Sequence, residues 1–228
     1  MRESAMQRGG FTGELWAAGE PVYRSILRHP FLEGLSAGTL DRHAFRFYVV
    51  EDVYYLTEFA RVLSIAAAKA PRDPWIVAFN RDAIATLEAE RSLHESYLTE
   101  FGLSEEELST RPPAPTTLAY TSYLLKTAYS APFAETLAAV LPCYWIYAEV
   151  GAALSKKGSP DPLYQRWIDA YGSEEYTATV DSVLSIMDEV ASSETAASKA
   201  RMVQHFVTTS RYEWMFWDMG HRQEAWPV

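Results

Sequence analysis

The chain has 228 residues, 48% of them hydrophobic, and a formal net charge of −10; it is long enough to bury a sizeable core and too apolar for a disordered chain. That acidic balance, without clustered Lys and Arg, argues against nucleic acid or an anionic membrane surface as partner. One cysteine excludes an intramolecular disulfide framework and suits a reducing cytoplasm.

Met1–Gly10 carries charges and glycines but no apolar segment of the kind a secretory signal needs. Phe11–Arg28, with Leu15, Val22, Ile26 and Leu27 set among charges, predicts an opening helix. His29–Leu40, HPFLEGLSAGTL, reads as a loop on its proline and two glycines, with Thr39 as a candidate N-cap.

Asp41–Ala70 gives the clearest helical pattern. Phe45, Tyr48, Val49, Tyr55, Leu56, Phe59, Val62, Leu63 and Ala66 recur at steps of three and four, and the position that completes the stripe is Asp52. A carboxylate in phase with an apolar face is informative, because Asp is seldom fully buried unless paired. It reads either as a structural group bonded to a tyrosine or an amide, or as a functional acid, with Tyr55 at i+3.

Pro71–Pro74 breaks the chain, and Trp75–Phe101 resumes helical spacing through Phe79, Ala83, Leu87, Leu98 and Phe101. Glu90 and His94, at i and i+4 on that side, read as a hydrogen-bonded structural pair or as half a metal site. Leu103–Pro115 is a solvated connection. Thr116–Tyr129 is a shorter helix with Tyr120, Tyr123, Leu124 and Thr127 along one side.

Phe133–Gly151, FAETLAAVLPCYWIYAEVG, is uncharged between Glu135 and Glu149 and apolar in every direction. Such a helix belongs in the middle of a domain. Its uncharged run, Leu137–Ala148, is shorter than the ~18 residues that span a bilayer. Pro142 should remove the bond to the Ala138 carbonyl and kink the helix. Cys143 follows it, with Tyr147 one turn on. Cys143 reads as a small core hydrophobe or as a reactive thiol, which requires a shifted pKa.

Lys156–Pro162 is a turn, and Leu163–Ala170 a short helix ending near Tyr171–Gly172. Glu174–Val190 is amphipathic, with Val180, Val183, Leu184, Met187 and Val190 inward. The last helix, Glu194–Gly220, sets Val203, Phe206, Val207, Ser210, Trp214 and Trp217 on one stripe, with Glu213 in phase. Asp52 and Glu213 are thus two carboxylates placed in apolar faces, where desolvation favours the neutral acid and suits acid/base work.

No period-two run of useful length appears. The pattern predicts an all-α, single-domain bundle of seven or eight helices around Phe133–Gly151, spanning residues 11–222, with tails at 1–10 and 223–228. There is no glycine-rich phosphate loop, no CxxC and no HExxH, so neither a cofactor nor a metal is expected. None of the five histidines has a helix phase that points clearly at Cys143, so carboxylate-assisted cysteine chemistry fits better than a Cys–His dyad.

The segments HPFLEGLSAGTL, FYVVEDVYYLTEFARV, TSYLLKTAYSAPFAETLAAVLPCYWIYAEVG, YQRWIDAYG and SRYEWMFWDMG resemble the thiaminase II (TenA) family, whose all-α fold is haem oxygenase-like. The resemblance implies hydrolysis at the methylene on C5 of a 4-aminopyrimidine. The substrate would be thiamine or 4-amino-5-aminomethyl-2-methylpyrimidine, and the product the hydroxymethylpyrimidine used in thiamine salvage. Carried over by position, Cys143 is the nucleophile, Asp52 and Glu213 are the acidic residues, and Tyr55, Tyr120, Tyr147 and Tyr171 line the pyrimidine pocket. Glu51 departs from the glutamine expected before the aspartate. The family also implies a homotetramer.

Chemistry supports these roles independently. An aminopyrimidine is a planar amidine, so one carboxyl group, assigned to Asp52, can accept from its amine while sharing a proton with a ring nitrogen. Glu213 would protonate the opposite nitrogen, and Cys143 would add to the activated ring. Two other readings compete. One is a non-catalytic aminopyrimidine-binding regulator. The other is a di-iron oxidase on the same fold, with Glu90 and His94 as ligands and Asp218 and His221 as the second pair.

Overall fold

The computed structural model describes residues 9–101 and 112–228, with side chains throughout except at 89–99. The described residues form nine α-helices and no strand, in keeping with the all-α expectation. They are α1 (Gly10–Ile26), α2 (Pro30–Ala37), α3 (Arg42–Lys69), α4 (Asp73–Phe101), α5 (Pro115–Ser130), α6 (Phe133–Ser155), α7 (Pro162–Tyr171), α8 (Glu174–Ser192) and α9 (Ala196–Arg222). The expected tail 1–10 up to residue 8, the connection up to residue 111, and the side chains of Glu90, His94 and Leu98 lie outside the described residues.

Helix α2 occupies the stretch expected to be a loop. Pro30 sits at its first turn, the His29 ring accepts from the Phe31 amide at 3.2 Å, and Gly38 closes it at φ 72°. Proline at the start and glycine in the left-handed region just past the end are helix boundaries, not breaks. Phe31, Leu32 and Leu35 are fully buried. The N-cap of α3 is Asp41, which accepts from the His43 amide, and not Thr39. Helix α4 turns Leu87 outward, 36% exposed, where the periodicity placed it inward.

Contacts gather the chain into two compact units. The first comprises Met1–Leu40 and Ala134–Trp217, the second Asp41–Phe133 and Asp218–Val228.

In the first unit α6 is the core. Every residue from 134 to 148 is buried, and the helix runs without a break through Pro142. By length and composition α6 could cross a membrane, but most of it is buried inside the chain. Trp145 packs against Trp16 of α1 with ring centroids 4.7 Å apart. Helix α8 fastens the start of α1 through Asp188, which accepts from the Thr12 amide at 2.8 Å and the Thr12 hydroxyl at 2.9 Å. A carboxylate there satisfies a first-turn donor and complements the helix dipole. The first turn of α6 likewise carries Glu135, bonded to Arg201 at 2.6 Å and His205 at 3.3 Å.

In the second unit α3 grips both ends of α5. The buried Glu51 carboxylate accepts from the Ala114 amide at 2.9 Å and the Thr117 hydroxyl at 2.6 Å, at the start of α5. At the other end Lys69 Nζ donates to the carbonyls of Ala128 and Ala131. Negative charge at a helix N-terminus and positive charge at its C-terminus both match the macrodipole. The two helices therefore run side by side in the same direction. The segment expected to be a tail joins this unit, since Glu224 accepts from the Thr116 amide at 2.9 Å and Trp226 donates to the Pro113 carbonyl at 3.0 Å.

Candidate active site

The predicted site residues divide between the units. Cys143, Tyr147, Tyr171 and Glu213 belong to the first, and Asp52, Tyr55 and Tyr120 to the second.

Cys143 is the only cysteine and is buried, though 9% exposed. It shares one face of α6 with Tyr147 and Gly151, at steps of four. That face meets the corner where α7 ends and α8 begins. Tyr147 and Tyr171 have ring centroids 4.8 Å apart, and Trp167 and Trp217 lie 6.1 and 4.9 Å from Tyr147. Tyr171 in turn lies tilted against Trp167 at 4.7 Å and meets Tyr176 edge-on at 5.4 Å. The structure thus brings Tyr147 and Tyr171 together in an aromatic wall one helical turn from the thiol-bearing residue.

Gly151 makes this packing feasible. A Cβ there would collide with the carbonyl carbon and oxygen of Tyr171, so only glycine lets the backbone at the end of α7 approach α6. Ser173 caps α8 by accepting from the Tyr176 amide at 3.1 Å. The Tyr176 hydroxyl donates to the main-chain carbonyl of Cys143 at 3.2 Å.

Glu213 is 1% exposed on α9, one turn before Trp217. The buried Trp217 Nε1–H has no hydrogen-bond acceptor among the described residues. The buried face of α9 is centred on Met202, Phe206, Ser210, Glu213 and Trp217; Val203, Val207 and Trp214, expected inward, are half-buried. Glu213 therefore lies nearer the centre of the buried face than the predicted stripe placed it.

In the second unit Asp52 is buried on α3, and desolvation raises its carboxyl from 3.8 to about 7. A carboxyl group in that range is present in both forms near neutral pH, so it can accept or donate. Tyr55, one turn on, lies 5.5 Å from Phe59 and 5.0 Å from Tyr120 of α5. Tyr55 and Tyr120 are thereby brought together, in the register that Glu51 and Lys69 impose on α5.

Sequence reasoning did not single out Gly151, Trp167 or Tyr176. Gly151 left a signal, because a glycine inside a long helix costs about 1 kcal/mol against alanine and calls for a packing reason. Trp167 and Tyr176 left none. Among the described residues no group of three or more His, Cys, Asp and Glu side chains is placed to hold a metal ion. Of the residues invoked for a di-iron centre, Asp218 bonds Arg222 at 2.7 Å, and the side chains of Glu90 and His94 lie outside the described residues.

A model of the TENA/THI-4/PQQC family matches residues 16–223. The chain is 39% identical over 216 residues to an aminopyrimidine aminohydrolase of Bacillus subtilis, covering 95% of this chain and 92% of that one. Among solved structures it is similar to a TenA homologue from P. horikoshii, with a TM-score of 0.86 and 30% identity over 94% of this chain and 99% of that one. A protein from a Silicibacter species named as a TenA family transcription regulator gives a TM-score of 0.85 and 32% identity, covering 93% and 96%. A Shewanella denitrificans domain described as having a haem oxygenase-like fold superposes with a TM-score of 0.72 at 16% identity over 92% and 91% of the two chains, a likeness of fold alone.

Proposed function

The chain belongs to the TENA/THI-4/PQQC family, and on that premise we propose that it is a hydrolase acting on a 4-aminopyrimidine in thiamine salvage. The substrate is 4-amino-5-aminomethyl-2-methylpyrimidine, with thiamine as the other candidate, and the product is the 5-hydroxymethylpyrimidine. The observation that carries this reading is the sole thiol, Cys143, buried on the same face of α6 as the Tyr147–Tyr171 wall. It is supported by the 39% identity to an aminopyrimidine aminohydrolase.

Asp52 binds the amidine edge of the ring, accepting from the exocyclic amine and sharing its proton with a ring nitrogen. Glu213 protonates the opposite ring nitrogen, which makes the ring electrophilic. The Cys143 thiolate adds to a ring carbon, and the electron pair this places in the ring expels ammonia, or the thiazole, from the methylene. Water adds to the methylene, a proton is lost, and the thiolate departs as aromaticity returns. Tyr55, Tyr120, Tyr147 and Tyr171 provide aromatic faces and hydroxyls for the ring. The enzyme requires no cofactor or metal, works in the cytoplasm as a homotetramer, and has neither nucleic acid nor membrane as partner.

The test is release of the hydroxymethylpyrimidine with the aminomethylpyrimidine and thiamine supplied separately. Faster turnover of the aminomethylpyrimidine supports salvage, and preference for thiamine changes the substrate but not the chemistry. A second reading, a non-catalytic aminopyrimidine-binding regulator, is favoured by the name of the Silicibacter relative. Ring binding without steady-state product release would select it.

A further inference from the structure

Three contacts link one face of α6 to the α7–α8 corner. The Tyr171 backbone lies against Gly151, the Tyr171 ring against Tyr147 at 4.8 Å, and the Tyr176 hydroxyl donates to the Cys143 carbonyl at 3.2 Å. Successive turns of α6 are thus each met by the same short segment, 171–176. The first two contacts, a close backbone approach and a tilted ring pair, hold the turns at Gly151 and Tyr147. A hydrogen bond loses its strength steeply with distance and angle. Tyr176 is the member of the set that bonds the residue carrying the thiol.

The local chain explains how. Gly172 and Ser173 end α7 and cap α8 within two residues, so the rings of Tyr171 and Tyr176 come from a corner with little freedom. Their edge-on contact at 5.4 Å ties the pocket wall to the hydroxyl. Pro142, immediately before Cys143, has no amide hydrogen to give the Ala138 carbonyl. The turn bearing the thiol is therefore held less firmly by its own helix, and a side-chain donor from outside has more to contribute.

We propose that Tyr176 is a positioning residue for the reaction: its hydroxyl holds the Cys143 turn so that Sγ faces a ring seated against Tyr147 and Tyr171. The proposal rests on Cys143 being the nucleophile. Tyr176 itself touches neither substrate nor reacting atoms in this scheme. Small displacements of a nucleophile are costly, a misplacement of about 1 Å being worth roughly 100-fold in rate.

The experiment compares wild type, Tyr176→Phe and Cys143→Ser in steady-state hydrolysis of the aminomethylpyrimidine, with thermal unfolding alongside. Because Cys143 is the only cysteine, its alkylation rate by iodoacetamide reads the same position without turnover. The expected result for Tyr176→Phe is a kcat lowered about tenfold, a KM within about twofold of wild type, an altered alkylation rate and an unfolding midpoint close to wild type. A Tyr176→Phe protein with wild-type kcat and alkylation rate overturns the proposal. If the phenylalanine variant does not fold, 4-aminophenylalanine at position 176, which restores a donor, decides: kcat near wild type supports the role and a lost kcat overturns it. Full activity in Cys143→Ser would instead remove the nucleophile reading, a failure distinct from that of Tyr176.

Discussion

Glu51 accepts a hydrogen bond of 2.6 Å from the Thr117 hydroxyl, in the first turn of α5, while the same oxygen takes the Ala114 amide at 2.9 Å. The N-cap, Ala114, has no side chain able to cap the helix, so α3 supplies the carboxylate instead. Removing it leaves two buried donors without that acceptor. Glu51→Ala should therefore lower stability by about 2–3 kcal/mol in urea unfolding at neutral pH. Glu51→Gln keeps one acceptor oxygen and should cost about 1 kcal/mol. Equal losses for the two variants would mean that packing, not the acceptor, is what Glu51 contributes.

The Asp52 carboxyl, raised from 3.8 to about 7 by burial, sets two pH dependences of the same sign. Its neutral form is the one the fold tolerates. The stability associated with it is fully present below pH 3.8 and is lost as pH rises to about 7. Asp52→Asn should therefore be more stable than wild type in urea unfolding at pH 8, by on the order of 4 kcal/mol, with the difference vanishing near pH 4. In the proposed reaction the neutral acid is also the form that shares a proton with the ring, so wild-type kcat/KM should fall above pH 7 and that limb should be missing from Asp52→Asn. A limb that persists in Asp52→Asn belongs to another group.

Gly151→Ala tests the close approach of α7 to α6. The new methyl would meet the backbone of Tyr171, which cannot move aside as a flexible side chain can. A loss of about 2 kcal/mol or more is expected, against the gain of about 1 kcal/mol that Gly→Ala brings to an unconstrained helix interior. Thermal unfolding of the variant gives the sign directly, and a stabilised protein would mean the corner is free to withdraw.

Much of this was legible from residue order because periodicity reports burial. Asp52 and Glu213 stood out as carboxylates in apolar phase, and both are buried. Cys143 was found at the core helix, which is buried on every side as an all-apolar helix must be. The misses have physical causes. Helix α2 is hidden in the sequence because Pro30 and Gly38 read as breakers, whereas their positions mark a start and an end. Glu51 lies off the stripe of α3, and nothing in its spacing reveals that α5 will cover it. Leu87 fits the period of α4 yet is exposed, since periodicity cannot tell whether a neighbouring helix reaches that far. Tyr176 takes its place from a contact thirty-three positions away in sequence, which no local pattern encodes.

The most direct measurement of the central claim is hydroxymethylpyrimidine formation from the aminomethylpyrimidine by wild type and by Cys143→Ser. A serine hydroxyl occupies nearly the same volume but is a far weaker nucleophile, so the fold should persist while kcat falls by about 10³-fold or more. Folding is checked by circular dichroism and substrate binding by calorimetry. A folded Cys143→Ser protein that binds substrate and keeps its kcat within about tenfold of wild type would contradict covalent catalysis by Cys143.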